Sequence, residues 1–207
     1  MTETTLREQL SDFGKSLFGR GLTGGSSGNM SVRIDDGFLV TPTNCCFGNI
    51  DPARISKLDP SGKHIAGDPP TKEQPMHLAI FQQRSGANAV VHLHSTYCVA
   101  LSCMKHENPD DIIPPITPYF IMKLGKLAWV PYYPPGDPKL AEAVGKVAAD
   151  HKAILLANHG PVASGASLEG AVYAMEEFEE TAKLVFLLKN HAVQPLDQEQ
   201  IEELRNK

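Results

Sequence analysis

Apolar residues recur at helical spacing in several stretches of the chain. In the first stretch, four of them lie three or four positions apart: Leu6, Leu10, Phe13 and Leu17. This spacing predicts an amphipathic helix over residues 5–18. The same period predicts helices over residues 72–84, 137–150 and 167–190, and a polar helix from about Asp197.

Shorter stretches show the patterns of β-strands. Residues 29–34 alternate apolar and polar side chains, Asp36-Gly37 is typical of a turn, and residues 38–41 resume the strand pattern, which together predict a hairpin. Further short apolar runs predict strands at residues 87–94, 127–130, 153–157 and 161–163. Because helices precede and follow these strands, we predict an α/β fold, a three-layer α/β/α sandwich with a mixed central sheet.

Composition narrows the class of protein. The 207 residues are 42% hydrophobic and 21% charged, which predicts one globular domain spanning residues 1–207. A net charge of −5, without a basic cluster, argues against nucleic acid as a partner. We also expect no membrane partner, because no apolar run is long enough to span a bilayer. The charged N-terminus and four cysteines without a CxxC pair lead us to expect a cytoplasmic protein.

The strongest local evidence for a functional site is the sequence Val90-Val91-His92-Leu93-His94. A strand sends residues i and i+2 to the same face, so His92 and His94 would lie side by side. Two neutral imidazoles favour zinc and similar metals, although they could instead be hydrogen-bonded core histidines. A catalytic zinc site needs a third protein ligand, and His159, in the turn after another apolar strand, is the leading candidate.

Glu73 begins the helix that leads to the His-x-His strand. It could act as a general acid or base, ligate the metal, or simply favour the helix dipole. His77 lies four residues later on the same helix face, and we expect it to support the site or the fold instead of binding metal.

Three loops are rich in groups that bind anions. The glycine-rich loop 24–29 contains Ser26 and Asn29, and Thr43-Asn44 follows a strand. Thr71-Lys72 precedes a helix, where the helix dipole favours anions. Together these clusters favour a phosphorylated ligand.

These motifs resemble the class II aldolase/adducin family over nearly the whole chain. The resemblance rests on Gly28-Asn29-Met30-Ser31, Thr41-Pro42-Thr43, Lys72-Glu73, His92-Leu93-His94 and Asn158-His159-Gly160. It implies an α/β/α fold, a homotetramer, and one Zn²⁺ per subunit held by His92, His94 and His159 with Glu73 close by. It places a substrate phosphate among Ser26, Asn29, Thr43, Asn44, Thr71 and Lys72. It also implies an aromatic catalytic group at Tyr119.

Longer segments, such as Val130–Asp137 and Leu156–Val162, resemble family members that decarboxylate 3-oxo-tetronate 4-phosphate. The resemblance implies a small phosphorylated sugar acid as the substrate. It also implies a zinc-stabilised enediolate, which Glu73 would protonate to give dihydroxyacetone phosphate. Two alternatives remain: a sugar-phosphate aldolase, although fuculose-phosphate aldolases have serines at Thr71-Lys72, and an adducin-like binding module without catalysis.

Overall fold

The computed structural model describes residues 1–106, 108 and 112–205. In this part of the chain, the α-helices are α1 (Glu3–Gly19), α2 (Gln74–Gln83), α3 (Thr96–Ser102), α4 (Pro118–Lys123), α5 (Pro138–Ala148), α6 (Leu168–Leu188) and α7 (Gln198–Arg205). The strands are β1 (Asn29–Ile34), β2 (Gly37–Val40), β3 (Ser56–Leu58), β4 (His64–Ala66), β5 (Ala89–His92), β6 (Leu127–Val130), β7 (Ala153–Leu156) and β8 (Gly160–Gly165). Two short 3-10 helices, Phe47–Asn49 and Pro52–Arg54, follow β2.

The strands form one sheet in the order β4-β3-β2-β1-β5-β8-β7-β6. All neighbouring pairs are antiparallel except β6 and β7, which are parallel, so the sheet is mixed as predicted. The strand β5 lies between β1 and β8, with His92 opposite Asn29 on one side and Val162 on the other. The end of β5 is therefore at the centre of the sheet, where residues from several elements can meet.

Helices cover both faces of the sheet, which confirms the three-layer sandwich. One core contains alternate strand residues such as Val91 and Leu155 and packs against α1, α3, α4, α6 and α7. The other contains Val90 and Ile154 and packs against α2 and α5. The alternation follows from the two-residue period of a strand, so neighbouring residues belong to different cores. None of the described helices is long and apolar enough to cross a bilayer.

Most predicted elements are present, and their bounds differ by a few residues. The predicted strand 87–94 is too long, because β5 ends at His92 and His94 lies beyond it. The predicted helix 72–84 begins only at Gln74, with Glu73 as its N-cap residue and Pro75 in the first turn. The strands β3 and β4, the helices α3 and α4 and the two 3-10 helices were not predicted.

Candidate metal centre

The structure brings Glu73, His92, His94 and His159 together. Each contributes one donor atom to a group in which all atoms lie within 4.8 Å of one another. The four residues come from the start of α2, the end of β5, the segment after β5, and the turn between β7 and β8. Glu73, His92 and His159 are buried, whereas His94 is exposed. His94 is therefore the member of the cluster that is most accessible to solvent.

Local backbone geometry allows His159 to approach the end of β5. Asn158 has a positive φ of 54°, which turns the chain sharply between β7 and β8. A Cβ atom added to Gly160 would lie only 2.6 Å from the carbonyl oxygen of Leu93. Glycine is thus required there for the two chain segments to pass this closely. This contact accounts for Gly160 in the Asn-His-Gly motif.

The distances among the three imidazole nitrogens match those between ligands of a tetrahedral zinc ion. The Nε2 atoms of His92, His94 and His159 are 3.1–3.2 Å apart. The Glu73 oxygens are 3.4 Å from His92 Nε2 and 3.3 Å from His159 Nε2. Two ligands of a tetrahedral zinc ion, each roughly 2.0–2.1 Å from the metal, stand about 3.3 Å apart. The three histidines therefore fit zinc in both chemistry and spacing, and a Glu73 oxygen lies beside two of them.

The protonation of the histidines also suits a metal. The Nδ1 atom of His92 lies 2.8 Å from the carbonyl oxygen of Pro161, to which it can only donate. The neutral ring therefore presents the Nε2 lone pair to the cluster. Burial, against the opposing effect of Glu73, lowers the pKa of His92 to about 3, and burial likewise lowers the pKa values of His94 and His159. The neutral imidazole is the form in which histidine binds metals.

The two carboxylate oxygens of Glu73 have different surroundings. Oε2 accepts a 2.8 Å hydrogen bond from the side-chain amide of Asn29. Oε1 is buried and has no hydrogen-bond partner among the described residues. Burial acts to raise the pKa of Glu73, but His92 and His159, when charged, and the hydrogen bond from Asn29 outweigh it and lower the pKa. Glu73 is therefore ionised at neutral pH.

His77 lies one helix turn after Glu73 and is linked to it through the side chain of Asn29. It is fully buried in α2, and its Nε2 atom lies 2.5 Å from Asn29 Oδ1. Its Nδ1 atom lies 2.6 Å from the Ser31 hydroxyl. Burial, partly opposed by Glu73, lowers the pKa of His77 to about 4, so the ring is neutral at neutral pH.

Two of the predicted anion loops lie side by side. The backbone N–H of Thr43 donates to Pro69, and the backbone N–H of Thr71 donates to Thr41. The hydroxyl of Thr71 accepts from the backbone N–H of Glu73 at 3.3 Å, so this loop runs directly into the metal cluster. The pairing places Thr43 and Thr71 on neighbouring chain segments beside Glu73.

The remaining predicted site residues lie on the surface. Ser26, Asn44 and Lys72 are exposed, and Asn44 has a positive φ of 55°. Tyr119 is the second residue of α4 and is 59% exposed. Among the described residues, no hydrogen bond joins Ser26, Lys72 or Tyr119 to the cluster. Their roles in binding or catalysis stay predictions.

Sequence reasoning missed Glu179, a buried carboxylate of α6. It accepts hydrogen bonds from the Ser95 hydroxyl at 2.7 Å and from the backbone N–H groups of Tyr97 and Cys98 at 2.8 and 2.9 Å. These donors immediately follow His94. A signal was present in the sequence, because Glu179 lies on the apolar side of α6, one turn after Met175. Glu179 thus anchors the segment that carries His94.

Relatives with full-length similarity are named enzymes. The 3-oxo-tetronate 4-phosphate decarboxylase of Escherichia coli K12 is 46% identical over 205 residues, which cover 99% of this chain and 97% of that protein. The L-fuculose phosphate aldolase of the same strain is 36% identical over 186 residues, which cover 89% and 84%. Both names describe enzymes that cleave carbon–carbon bonds.

The same relationship appears in three dimensions and in the family pattern. The crystal structure of YgbL from Escherichia coli superimposes with a TM-score of 0.96 at 45% identity, covering 98% of this chain and 99% of that one. The sequence model of the family described as "Class II Aldolase and Adducin N-terminal domain" matches residues 8–186. This chain belongs to the class II aldolase and adducin family.

Proposed function

We propose that this protein is a zinc-dependent decarboxylase that converts 3-oxo-tetronate 4-phosphate to dihydroxyacetone phosphate and carbon dioxide. The observation that carries the proposal is the 46% identity, over 99% of the chain, to an enzyme named for this substrate. The aldolase relative has 36% identity over 89% of the chain. The cluster of three neutral histidines and one carboxylate supplies the chemistry that such a reaction needs.

In this proposal His92, His94, His159 and Glu73 hold the metal. A zinc ion held there would supply a Lewis acid that polarises the carbonyl and hydroxyl oxygens of the substrate. His94 is the exposed member of the cluster, so the substrate approaches from its side. Pro161 fixes the ring of His92 through its carbonyl, which keeps the Nε2 lone pair directed at the cluster.

Glu73 moves the proton. Because it is ionised at neutral pH, it must take up a proton before it can deliver one. The C2 hydroxyl of the substrate is a suitable source, since its acidity increases when the substrate is polarised. The C1–C2 bond then breaks, carbon dioxide leaves, and the electron pair remains on C2 and the C3 carbonyl group. Glu73 Oε1 returns the proton to C2, and a solvent proton completes the C2 hydroxyl of the product.

The anion loops bind the rest of the substrate. The proximity of Thr43 to the loop of Thr71 favours a phosphate site there, to which Ser26, Asn29 and Asn44 would contribute. Lys72 would add an ammonium group for the second anion of the substrate, its carboxylate. Loop backbone N–H groups and hydroxyls are the donors that phosphates commonly accept from in proteins.

We further propose a single domain over residues 1–207, a homotetramer and a cytoplasmic location. A tetramer would allow Tyr119 to reach a neighbouring subunit's site, since its side chain is exposed in the isolated chain. Light scattering coupled to gel filtration measures the subunit number. A monomeric mass would remove the support for a role of Tyr119 across subunits.

The test is release of carbon dioxide and dihydroxyacetone phosphate from each stereoisomer of 3-oxo-tetronate 4-phosphate. It compares zinc-loaded protein, chelated protein and the Glu73→Gln variant. The proposal expects zinc-dependent release that Glu73→Gln abolishes. Absence of release from every isomer, together with aldehyde-dependent consumption of dihydroxyacetone phosphate, would establish the aldolase instead. Absence of turnover in both assays would favour an adducin-like binding module.

A further inference from the structure

We infer that His77 is a positioning residue for Glu73 and acts on it through the side-chain amide of Asn29. The inference rests on the proposed function, in which Glu73 binds the metal as a carboxylate. It is based on a buried hydrogen-bond chain from Ser31 through His77 and Asn29 to Glu73. Ser31, His77 and Asn29 are 0%, 0% and 4% exposed.

The chemistry of the carboxylate determines the direction of every hydrogen bond in this chain. An ionised Glu73 can only accept, so Asn29 must present its Nδ2–H₂ group to Oε2. The opposite atom of the amide, Oδ1, then faces His77 Nε2, which must donate. The neutral form of His77 that does so leaves Nδ1 to accept from the Ser31 hydroxyl. One tautomer of His77 therefore selects one orientation of Asn29.

This orientation has a consequence for Glu73. A flipped Asn29 would place Oδ1 against Oε2, and two acceptors at 2.8 Å would repel each other. With His77 in place, Oε2 is tethered and Oε1 remains free of protein hydrogen bonds among the described residues. The tethered oxygen sets the orientation of the carboxylate, and the free oxygen is the one that transfers the proton. The chain thus makes the two oxygens unequal.

The alternative is that His77 is only a well-satisfied core residue of α2. A purely structural His77 would affect unfolding without affecting zinc affinity. Glutamine and asparagine separate the two roles, because a glutamine amide can reach the position of Nε2 and keep the donor to Asn29. Asparagine is shorter and keeps only a partner for Ser31.

The experiment measures zinc affinity by competition with a chelator, together with kcat, KM and thermal unfolding of the metal-free protein. We expect His77→Asn to weaken zinc binding and lower kcat by about tenfold each, with KM changed less. We expect His77→Gln to restore both values to within about threefold of wild type. As a control, Ser11→Ala removes another buried hydroxyl, which donates to Ile50, and should leave zinc affinity unchanged.

A double variant tests whether the effect passes through Glu73. In a Glu73→Gln background, His77→Asn should weaken zinc binding by much less than its tenfold effect in wild type, because coupled residues are not additive. Equal effects of His77→Asn and His77→Gln, or additive effects in the double variant, would overturn the inference. If the wild type shows no decarboxylase activity but the order of zinc affinities holds, the proposed function fails and the positioning role stands.

Discussion

Glu73 and Glu179 are buried to nearly the same extent, 8% and 6% exposed, yet their carboxylates have opposite surroundings. Glu179 accepts three hydrogen bonds, from Ser95, Tyr97 and Cys98, and both of its oxygens have partners. Glu73 accepts one, and its Oε1 has no hydrogen-bond partner among the described residues.

A buried carboxylate without enough donors is costly to the fold, so its retention indicates another use. The three imidazole nitrogens beside Glu73 are the basis for our proposal that this use is metal binding. The fully hydrogen-bonded carboxylate of Glu179 holds a chain segment in place. The carboxylate of Glu73, which lacks a hydrogen bond at Oε1, is available to bind a metal or a proton. The comparison predicts that replacing Glu73 by glutamine mainly impairs catalysis, whereas replacing Glu179 by glutamine mainly impairs stability.

The largest effect should be the loss of catalysis in the Glu73→Gln variant. Loss of the proton carrier should lower kcat by about a thousandfold, or about 4 kcal/mol in the barrier. The free energy of unfolding of the metal-free protein should change by less than about 1 kcal/mol, because an under-bonded charge is removed. Carbon dioxide release and denaturant unfolding measure the two quantities. Retention of a tenth of wild-type kcat would contradict the role of Glu73.

The second-largest effect should be a loss of stability in the Glu179→Gln variant. An amide nitrogen in place of one oxygen faces N–H or O–H donors, leaving at least one of them unpaired. We expect a loss of about 3 kcal/mol in the free energy of unfolding, seen in denaturant melts. Glu177→Gln is the matched control, since Glu177 lies on the same helix, is half-buried and accepts only from Thr181 at 3.2 Å among the described residues. A loss no greater than that of the control would break the comparison.

The stabilisation that zinc gives to the folded protein should also differ between the two variants. At a zinc concentration about a hundred times Kd, binding stabilises the folded protein by about 2.7 kcal/mol. Glu73→Gln should lose about half of that gain, because a tenfold weaker Kd corresponds to about 1.4 kcal/mol. Glu179→Gln should retain more of the gain, since it affects only the support of His94. Thermal melts with and without zinc measure the differences, and an equal loss in both variants would contradict them.

Acid should destabilise the region of Glu73 in the metal-free protein. The pKa values of His77 and His92 are lowered from 6.5 to about 4 and about 3, so below pH 6.5 the unfolded chain binds protons that the folded chain does not. Stability is therefore complete above pH 6.5 and falls towards pH 4, by about 1.4 kcal/mol per pH unit for each histidine. The His77→Gln variant should lack the contribution of one histidine to this pH dependence. Free energies of unfolding between pH 7 and 4.5 measure the difference. An unchanged slope would mean that His77 is charged in the fold.

Much of this site could be predicted from short sequence patterns. The His-x-His motif on an apolar strand and the His159 turn identify residues that the structure brings within 4.8 Å. The hairpin of β1 and β2 follows from alternation and an Asp-Gly turn. These signals are local, so a single sequence is enough to read them.

The missing parts depend on contacts between distant residues or on very short elements. The strands β3 and β4 have only three residues each, too few to establish a period. The helix α4 was missed within a proline-rich segment, although Thr117-Pro118 offered an N-cap signal: the Thr117 hydroxyl accepts from Phe120. The partners of Glu179 are more than 80 positions away, so no local pattern connects them.

The position of His159 has a consequence for the newly made chain. Glu73, His92 and His94 leave the ribosome well before His159, which follows His94 by 65 residues. His159 lies in the turn that enters β8, and β8 lies between β5 and β7 at the centre of the sheet. A nascent chain that ends before His159 therefore holds only three of the four donor residues. We expect the complete cluster, and with it tight capture of a metal, to form late in biosynthesis, after the central strands have paired.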